Sequence, residues 1–270
     1  MKVTVLMEDT PGPRALPYEH GLSFFIETEL HHLLFDTGAS DLTWQNAVRL
    51  QIPLEKTDAV ILSHGHYDHT GGVLSFSKMY PRVPVYLRPE ADGCFYHDEK
   101  YIGTDPQLAG LPQLVRPEET ITVLDRELTL MAGVTGRRCQ PQSNASLFRL
   151  VEGKRVPDQF CHEQSLIVNT GNKRYLFAGC AHNGILNILD RFREVFGCVP
   201  DALFGGFHMS QKTCLTDRAR EDILTTAREL AAMPTVFYTG HCTGEEAFGI
   251  LHEIMGSRLH ALHAGDMIEL

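Results

Sequence analysis

Three features of the sequence predict a layered α/β fold. The N-terminal third is built of short apolar β segments, later apolar strands each run into a cluster of glycine and histidine, and helical apolar spacing follows those clusters. Lys2 to Leu6, Leu22 to Glu27 and His31 to Phe35 are rich in Val, Leu, Phe and Ile, and the last two are spaced as a hairpin. A turn at Asp36-Thr37-Gly38 leads to a short amphipathic helix over Asp41 to Leu50, which Pro53 ends. Asp58 to Leu62 is a compact apolar run suited to a buried strand, and it opens directly into Ser63-His64-Gly65-His66-Tyr67-Asp68-His69-Thr70-Gly71-Gly72. A helix to Met79 and a strand over Val83 to Leu87 should follow.

Residues 88 to 120 carry Pro89, Gly93, Gly103, Pro106, Pro112 and Pro117, punctuation too dense for long regular elements, so a pocket-side insertion is expected there. Strands resume at Ile121 to Leu124, Leu128 to Met131, Ser165 to Val168 and Arg174 to Ala178. The last of these ends in Gly179-Cys180-Ala181-His182 and passes into a helix over Asn183 to Phe196. The pattern recurs twice: Ala202 to Phe204 runs into Gly205-Gly206-Phe207-His208, and Thr235 to Tyr238 into Thr239-Gly240-His241-Cys242. Thr243 to Glu246 reads as a capping box for a helix from Gly244 to Met255. With no repeat of fixed period and no composition break, residues 1 to 270 read as one domain.

Composition narrows the function. The net charge is −10 and no basic run exceeds Arg137-Arg138, so the electrostatic footprint of a nucleic-acid binder is missing. No window approaches the roughly 20 apolar residues of a spanning helix, and MKVTVLMEDT turns acidic before a signal-like region develops, so a cytoplasmic protein without membrane partners is expected. The seven cysteines are odd in number and scattered, with no C-x-x-C pair, which argues against a disulfide framework or a zinc ribbon. The sequence specifies no oligomeric state.

His64, His66, Asp68 and His69 place four ligand-type residues in six positions after an apolar strand and before Gly71-Gly72. In an extended segment alternate side chains share a face, so His64, His66 and Asp68 should point one way and His69 the other, a spacing that suits two neighbouring metals. Imidazole with carboxylate favours zinc, with iron or manganese as alternatives, over calcium or magnesium.

His64-Gly-His66-Tyr-Asp68-His69 resembles the H-x-H-x-D-H signature of the metallo-β-lactamase superfamily, and Asp36 in LLFDTG matches its upstream aspartate. HGLS from His20, GCAHNGILNIL from Gly179, GGFHM from Gly205 and HCTG from His241 are similar to a branch of uncharacterised hydrolases that also holds an archaeal dihydropterin-linked phosphate synthase. The resemblance covers nearly the whole chain. It implies a four-layer αββα sandwich, two mixed β-sheets packed face to face with helices outside and the metals at one edge.

The same resemblance implies that His64 and His66 hold metal 1, with His182 as third ligand, and that Asp68, His69 and His241 hold metal 2. Cys180 stands where many relatives have a bridging aspartate, so it either ligates metal or lines the pocket. His162 stands where the branch shows an acidic residue and is read as a pocket or surface residue. His208 is read as reaching substrate or supporting the site, and His20 and Asp36 as supporting groups, Asp36 by orienting ligands or water. Cys242 combines a helix N-terminus with packing. His31, His32, His97, His252, His260 and His263 lack companions and read as structural or exposed.

Two divalent metals side by side would supply a hydroxide nucleophile, so the expected enzyme is a binuclear metal-dependent hydrolase of a small ester, thioester, lactam or phosphodiester, with Asp68 and His208 in catalytic positions. No G-x-S-x-G or P-loop pattern competes. The alternatives are a pterin-related transferase that condenses with loss of diphosphate, and a di-iron redox protein. The partner is a small molecule; Arg88, Arg116, Arg137 and Arg138 either bind it, if it is anionic, or are solvated surface arginines, the default reading.

Overall fold

The computed structural model describes residues 1–211 and 214–270. Its centre is a pair of seven-stranded sheets. The first runs in spatial order through Met267–Glu269, Lys2–Met7, Ser23–Glu27, His32–Phe35, Ala59–Ile61, Val85–Tyr86 and Leu114–Val115. The second runs through Leu259–Ala261, Val236–Thr239, Ala202–Phe204, Lys173–Phe177, Gln164–Thr170, Leu128–Ala132 and Ile121–Val123. Antiparallel pairs open each sheet, and parallel strands continue it: from His32–Phe35 onward in the first and from Lys173–Phe177 onward in the second. Parallel neighbours present their carboxyl ends at one edge, and the loops leaving those ends carry the polar clusters.

Period-two alternation builds the layers. Phe24, Leu33 and Phe35 face Phe177 and Phe204 of the other sheet, whereas Phe25 and Leu34, one residue along, face outward onto Trp44, Ala47 and Phe76. The outer face of the second sheet, through Leu176, Leu203 and Phe237, is covered by Ile185, Leu189 and Phe192 of the helix Ile185–Phe196 and by residues of the helices Asp217–Ala231 and Glu245–Met255. The result is the αββα sandwich, helices on both outer faces of two packed sheets. No helix among the described residues is long and apolar enough to cross a membrane.

The structure corrects several local readings. Residues 88–120 do not form an insertion by themselves. Phe95–His97 and Lys100–Tyr101 join Leu147–Val151 and Lys154–Pro157 in a small four-stranded sheet, bridged to the histidine motif at His66 and Gly103. Its Leu147–Pro157 hairpin turns at Glu152-Gly153, both at positive φ (49° and 77°), a signal that was legible in the sequence. The helix Asp217–Ala231 was also unread, although Thr216 caps it by accepting from Ala219 N at 3.1 Å and Ala219, Ile223, Ala227 and Leu230 repeat at helical spacing. The expected capping box does not form: Gly244, at φ 78°, takes the cap position, while Thr243 Oγ1 accepts from Phe207 N at 2.9 Å.

Candidate metal centre

The histidine motif is not extended throughout. His66 ends the extended segment in β conformation and Tyr67–Thr70 winds into one helical turn, which swings Asp68 away from His64 and His66 and toward His69. The two glycines after it permit close packing, since a Cβ on Gly71 would sit 2.0 Å from the carbonyl oxygen of Ala39. Two groups of donors result. His64 Nε2 faces His66 Nδ1 at 3.0 Å and His182 Nε2 at 3.3 Å. Next to it, Asp68 Oδ2 lies 3.5 Å from His69 Nε2 and 3.3 Å from His241 Nε2, and His69 Nε2 is 3.1 Å from Cys180 Sγ. Each group keeps its ligand-type atoms within 4.8 Å of one another, and all seven residues are buried.

The surrounding hydrogen bonds fix which nitrogen of each ring faces inward. Asp36, at φ 60°, accepts from Ser63 N at 2.7 Å with Oδ1, and from Ser63 Oγ at 2.7 Å and His69 Nδ1 at 2.6 Å with Oδ2. With its hydrogen given to Asp36, Ser63 Oγ accepts from His64 Nδ1 at 2.8 Å. His241 Nδ1 donates to Asp9 Oδ1 at 2.6 Å, while Glu8 accepts from the His241 backbone N–H. His182 Nδ1 donates to Asn144 Oδ1 at 3.3 Å. His64, His69, His182 and His241 therefore each turn Nε2 into the site. Imidazole nitrogens facing one another at 3.0–3.3 Å, with the outward nitrogens of His64 and His182 hydrogen-bonded to Ser63 and Asn144, are the donor set that a transition-metal cation fits.

The two groups differ in charge. Burial, reinforced by the neighbouring imidazoles, holds His64 and His182 well below the usual histidine range and His66 down to about 3, so these rings are neutral. Burial opposes charge at His69 as well, but Asp36 and Asp68 outweigh it and raise His69 to about 9. Burial would likewise raise Asp68, yet His69 and a hydrogen bond from His241 keep it well below the usual carboxylate range. The second group thus holds a proton where a cation would sit.

Above both groups opens a cavity of about 700 Å³. His20 lines it, with Nδ1 donating to Asp9 Oδ2 at 2.8 Å and Nε2 at 3.3 Å from Asp68 Oδ2. Its ring stacks on His241 at 4.7 Å. His208, at φ 50°, also lines the cavity, its ring 4.1 Å from His182 and its Nδ1 buried without a hydrogen bond.

The family model of the metallo-beta-lactamase superfamily matches residues 17–226. The chain belongs to this superfamily. Over the whole chain it is 29% identical to the 7,8-dihydropterin-6-methyl-4-(beta-D-ribofuranosyl)-aminobenzene-5'-phosphate synthase of Methanocaldococcus jannaschii, covering 96% of that protein. The crystal structure of Tm1679, a metal-dependent hydrolase of the beta-lactamase superfamily, matches with a TM-score of 0.84 at 32% identity over 100% of this chain and 99% of the other. YhfI from Bacillus subtilis, a metallo-beta-lactamase fold protein, shares the fold at 17% identity with a TM-score of 0.59 over 99% of both chains.

In this member of the metallo-beta-lactamase superfamily the sequence reading placed some residues wrongly. His162 is neither at the surface nor in the pocket; it is buried behind His66. His97, read as structural or exposed, lines the cavity. The four arginines do not line it, which leaves their default reading as surface groups in place except at Arg88, which is buried. Arg88 binds Glu90 and three carbonyls, Arg116 pairs with Asp92, Arg138 with Asp190 and Glu229, and Arg137 contacts Asn183. The cavity wall carries Lys100 instead, its ammonium donating to Tyr67 Oη at 3.3 Å. Glu8 and Asp9 were missed, although they end the apolar strand Lys2–Met7 just as the recognised clusters end theirs.

Proposed function

We propose that this chain is a binuclear metal-dependent hydrolase acting on a small ester, thioester, lactam or phosphodiester. The observation that carries the reading is the pair of adjacent donor groups, His64-His66-His182 and Asp68-His69-His241-Cys180, with their ring N–H groups turned outward. The nitrogen-rich set, with one carboxylate and one thiol, favours zinc, with iron or manganese as alternatives. When bound, two such cations supply Lewis acidity, which lowers the pKa of a water toward ~7 and polarises a carbonyl or phosphoryl oxygen.

The chain's own groups do the rest. Asp36 and Asp9 hold His69 and His241 in the tautomers that face inward. Asp68 anchors the second cation and aligns the attacking water. His208, which lines the cavity, is the side chain that contacts substrate. In the net reaction the water oxygen bonds to the acyl carbon or phosphorus, the bond to the leaving group breaks, and the leaving group takes up the proton. A cavity of about 700 Å³ suits a small molecule, and Lys100 gives it a cationic wall for an anionic one.

The full-length likeness to a synthase favours a second reading, a transferase in which an amine nitrogen bonds to the methyl carbon of a pterin substrate as that carbon's diphosphate leaves. Zinc-loaded protein assayed on chromogenic phosphodiester, thioester, lactone and β-lactam compounds, and in parallel for diphosphate release from a pterin methyl diphosphate with an arylamine acceptor, separates the two. Turnover on a member of the panel supports the hydrolase. Diphosphate release with no turnover on any member supports the transferase and removes the hydrolase.

A further inference from the structure

Behind the metal ligands, on the side away from the cavity, lies a polar cluster that neither the motif nor the proposed reaction uses. Asp158, His162 and Glu163 are buried, and none of them lines the cavity. We infer that the turn over residues 158–163 is a positioning device for the His64-His66-His182 group, with Asp158 as the carboxylate that receives the outward N–H of His66. The inference rests on the reading that these three histidines hold a metal.

The hydrogen bonds assign every proton in the cluster but one. His162 Nδ1 accepts from Gly65 N at 3.0 Å, so its proton sits on Nε2, which donates to Asp158 Oδ2 at 2.9 Å. Asp158 Oδ1 accepts from Phe160 N at 2.9 Å. A ring nitrogen of His66, a carboxylate oxygen of Asp158 and a nitrogen of His162 lie within 4.8 Å of one another. His66 turns Nδ1 to His64, which leaves Nε2 for the Asp158 side, and that Nε2 is buried with no partner. A short approach of the imidazole satisfies it and presses Nδ1 into the site, the arrangement that raises a metal-bound histidine's basicity and fixes its ring.

The same turn holds the third ligand. The Phe160 ring, on a residue at φ 53°, stacks on His182 at 4.6 Å and 4°. Glu163 accepts from His182 N at 2.7 Å and from Asn183 N at 3.0 Å. Phe95, from the small sheet, packs on His162 at 4.1 Å. The small sheet and the turn after it thus tie His66 and His182, which lie 116 positions apart in the chain, to one rigid support.

Zinc titration of the full chain against a chelating dye, with circular dichroism and the unfolding midpoint of the metal-free protein recorded for each variant, tests this. Wild type should bind zinc in a His64→Ala-sensitive site. Asp158→Asn should weaken that site about 10–100-fold and leave the other unchanged. His162→Gln, which keeps one acceptor for Gly65 and one donor for Asp158, should retain near wild-type affinity, whereas His162→Ala should not. If Asp158→Asn binds zinc like wild type, or if wild type holds a third metal that Asp158→Asn loses, the positioning role is overturned. A wild-type chain whose zinc binding ignores His64→Ala overturns the underlying metal reading instead.

Discussion

The carboxylate of Asp36 lies 2.6 Å from His69 Nδ1 and, through its other oxygen, 2.7 Å from the backbone N–H of Ser63. One fully buried group therefore sets the ring of His69 in the second donor group and the start of the segment that carries the first group. Asp36→Ala strands three donors that burial has already stripped of water, at a cost of about 1–3 kcal/mol for each lost partner. The expected outcome is a protein that loses zinc affinity at both groups and unfolds at lower denaturant, read by zinc titration and urea melts. A variant that keeps wild-type affinity would show that Asp36 supports neither.

The two donor groups should respond differently to pH. His69 is raised to about 9, so at pH 7 the metal-free protein holds a proton that a cation must displace. Affinity at that group should rise with pH through about 9, roughly tenfold per unit for each displaced proton, and keep rising beyond it, because the His241 ring beside Asp68 and Asp9 and the buried Cys180 thiol are both raised as well. His66, at about 3, is already neutral, so affinity at the first group should be flat between about pH 5 and 8. The sign reverses for the metal-free fold: a pKa raised from 6.5 to about 9 gives stability that is complete below 6.5 and lost as pH climbs through 9. Zinc binding measured across that range, with metal-free melts alongside, checks both slopes.

Cys180 and Cys242 both lie buried beside the second group, and Cys180 Sγ reaches an imidazole of that group, 3.1 Å from His69 Nε2. Cobalt-substituted protein should show a near-ultraviolet thiolate charge-transfer band that Cys180→Ser abolishes and Cys242→Ser keeps. A band that survives in Cys180→Ser would place the thiolate elsewhere.

The inter-sheet core should be intolerant of truncation. Phe204 stacks on Phe177 at 4.9 Å and on Tyr238 at 4.5 Å, and its strand leads into the loop that carries His208. Phe204→Ala should destabilise the fold by about 3–5 kcal/mol in equilibrium denaturation. A cost below 1 kcal/mol would contradict the packing described.

The strands and the polar loops at their carboxyl ends were legible because buried parallel strands are apolar runs and the residues after them change character abruptly. The local conformation was less so. An extended reading of His64 to His69 put Asp68 with His64 and His66, whereas the helical turn at Tyr67–Thr70 moves it to His69. Asp158 and Glu163 were invisible for another reason: each meets a histidine of the donor groups more than 15 positions away in the chain, and short-range patterns carry no record of such contacts. His162 was read at the pocket or surface because its partners, Gly65 and Asp158, come from a separate loop and from the turn before it.

The central claim is most directly tested by elemental analysis of purified wild type and His66→Ala, paired with the hydrolysis panel. The account predicts about two transition-metal ions per wild-type chain, with metal and turnover lost together in the variant. Metal-free wild type that still turns over substrate, or a His66→Ala protein with full metal and full activity, would contradict it.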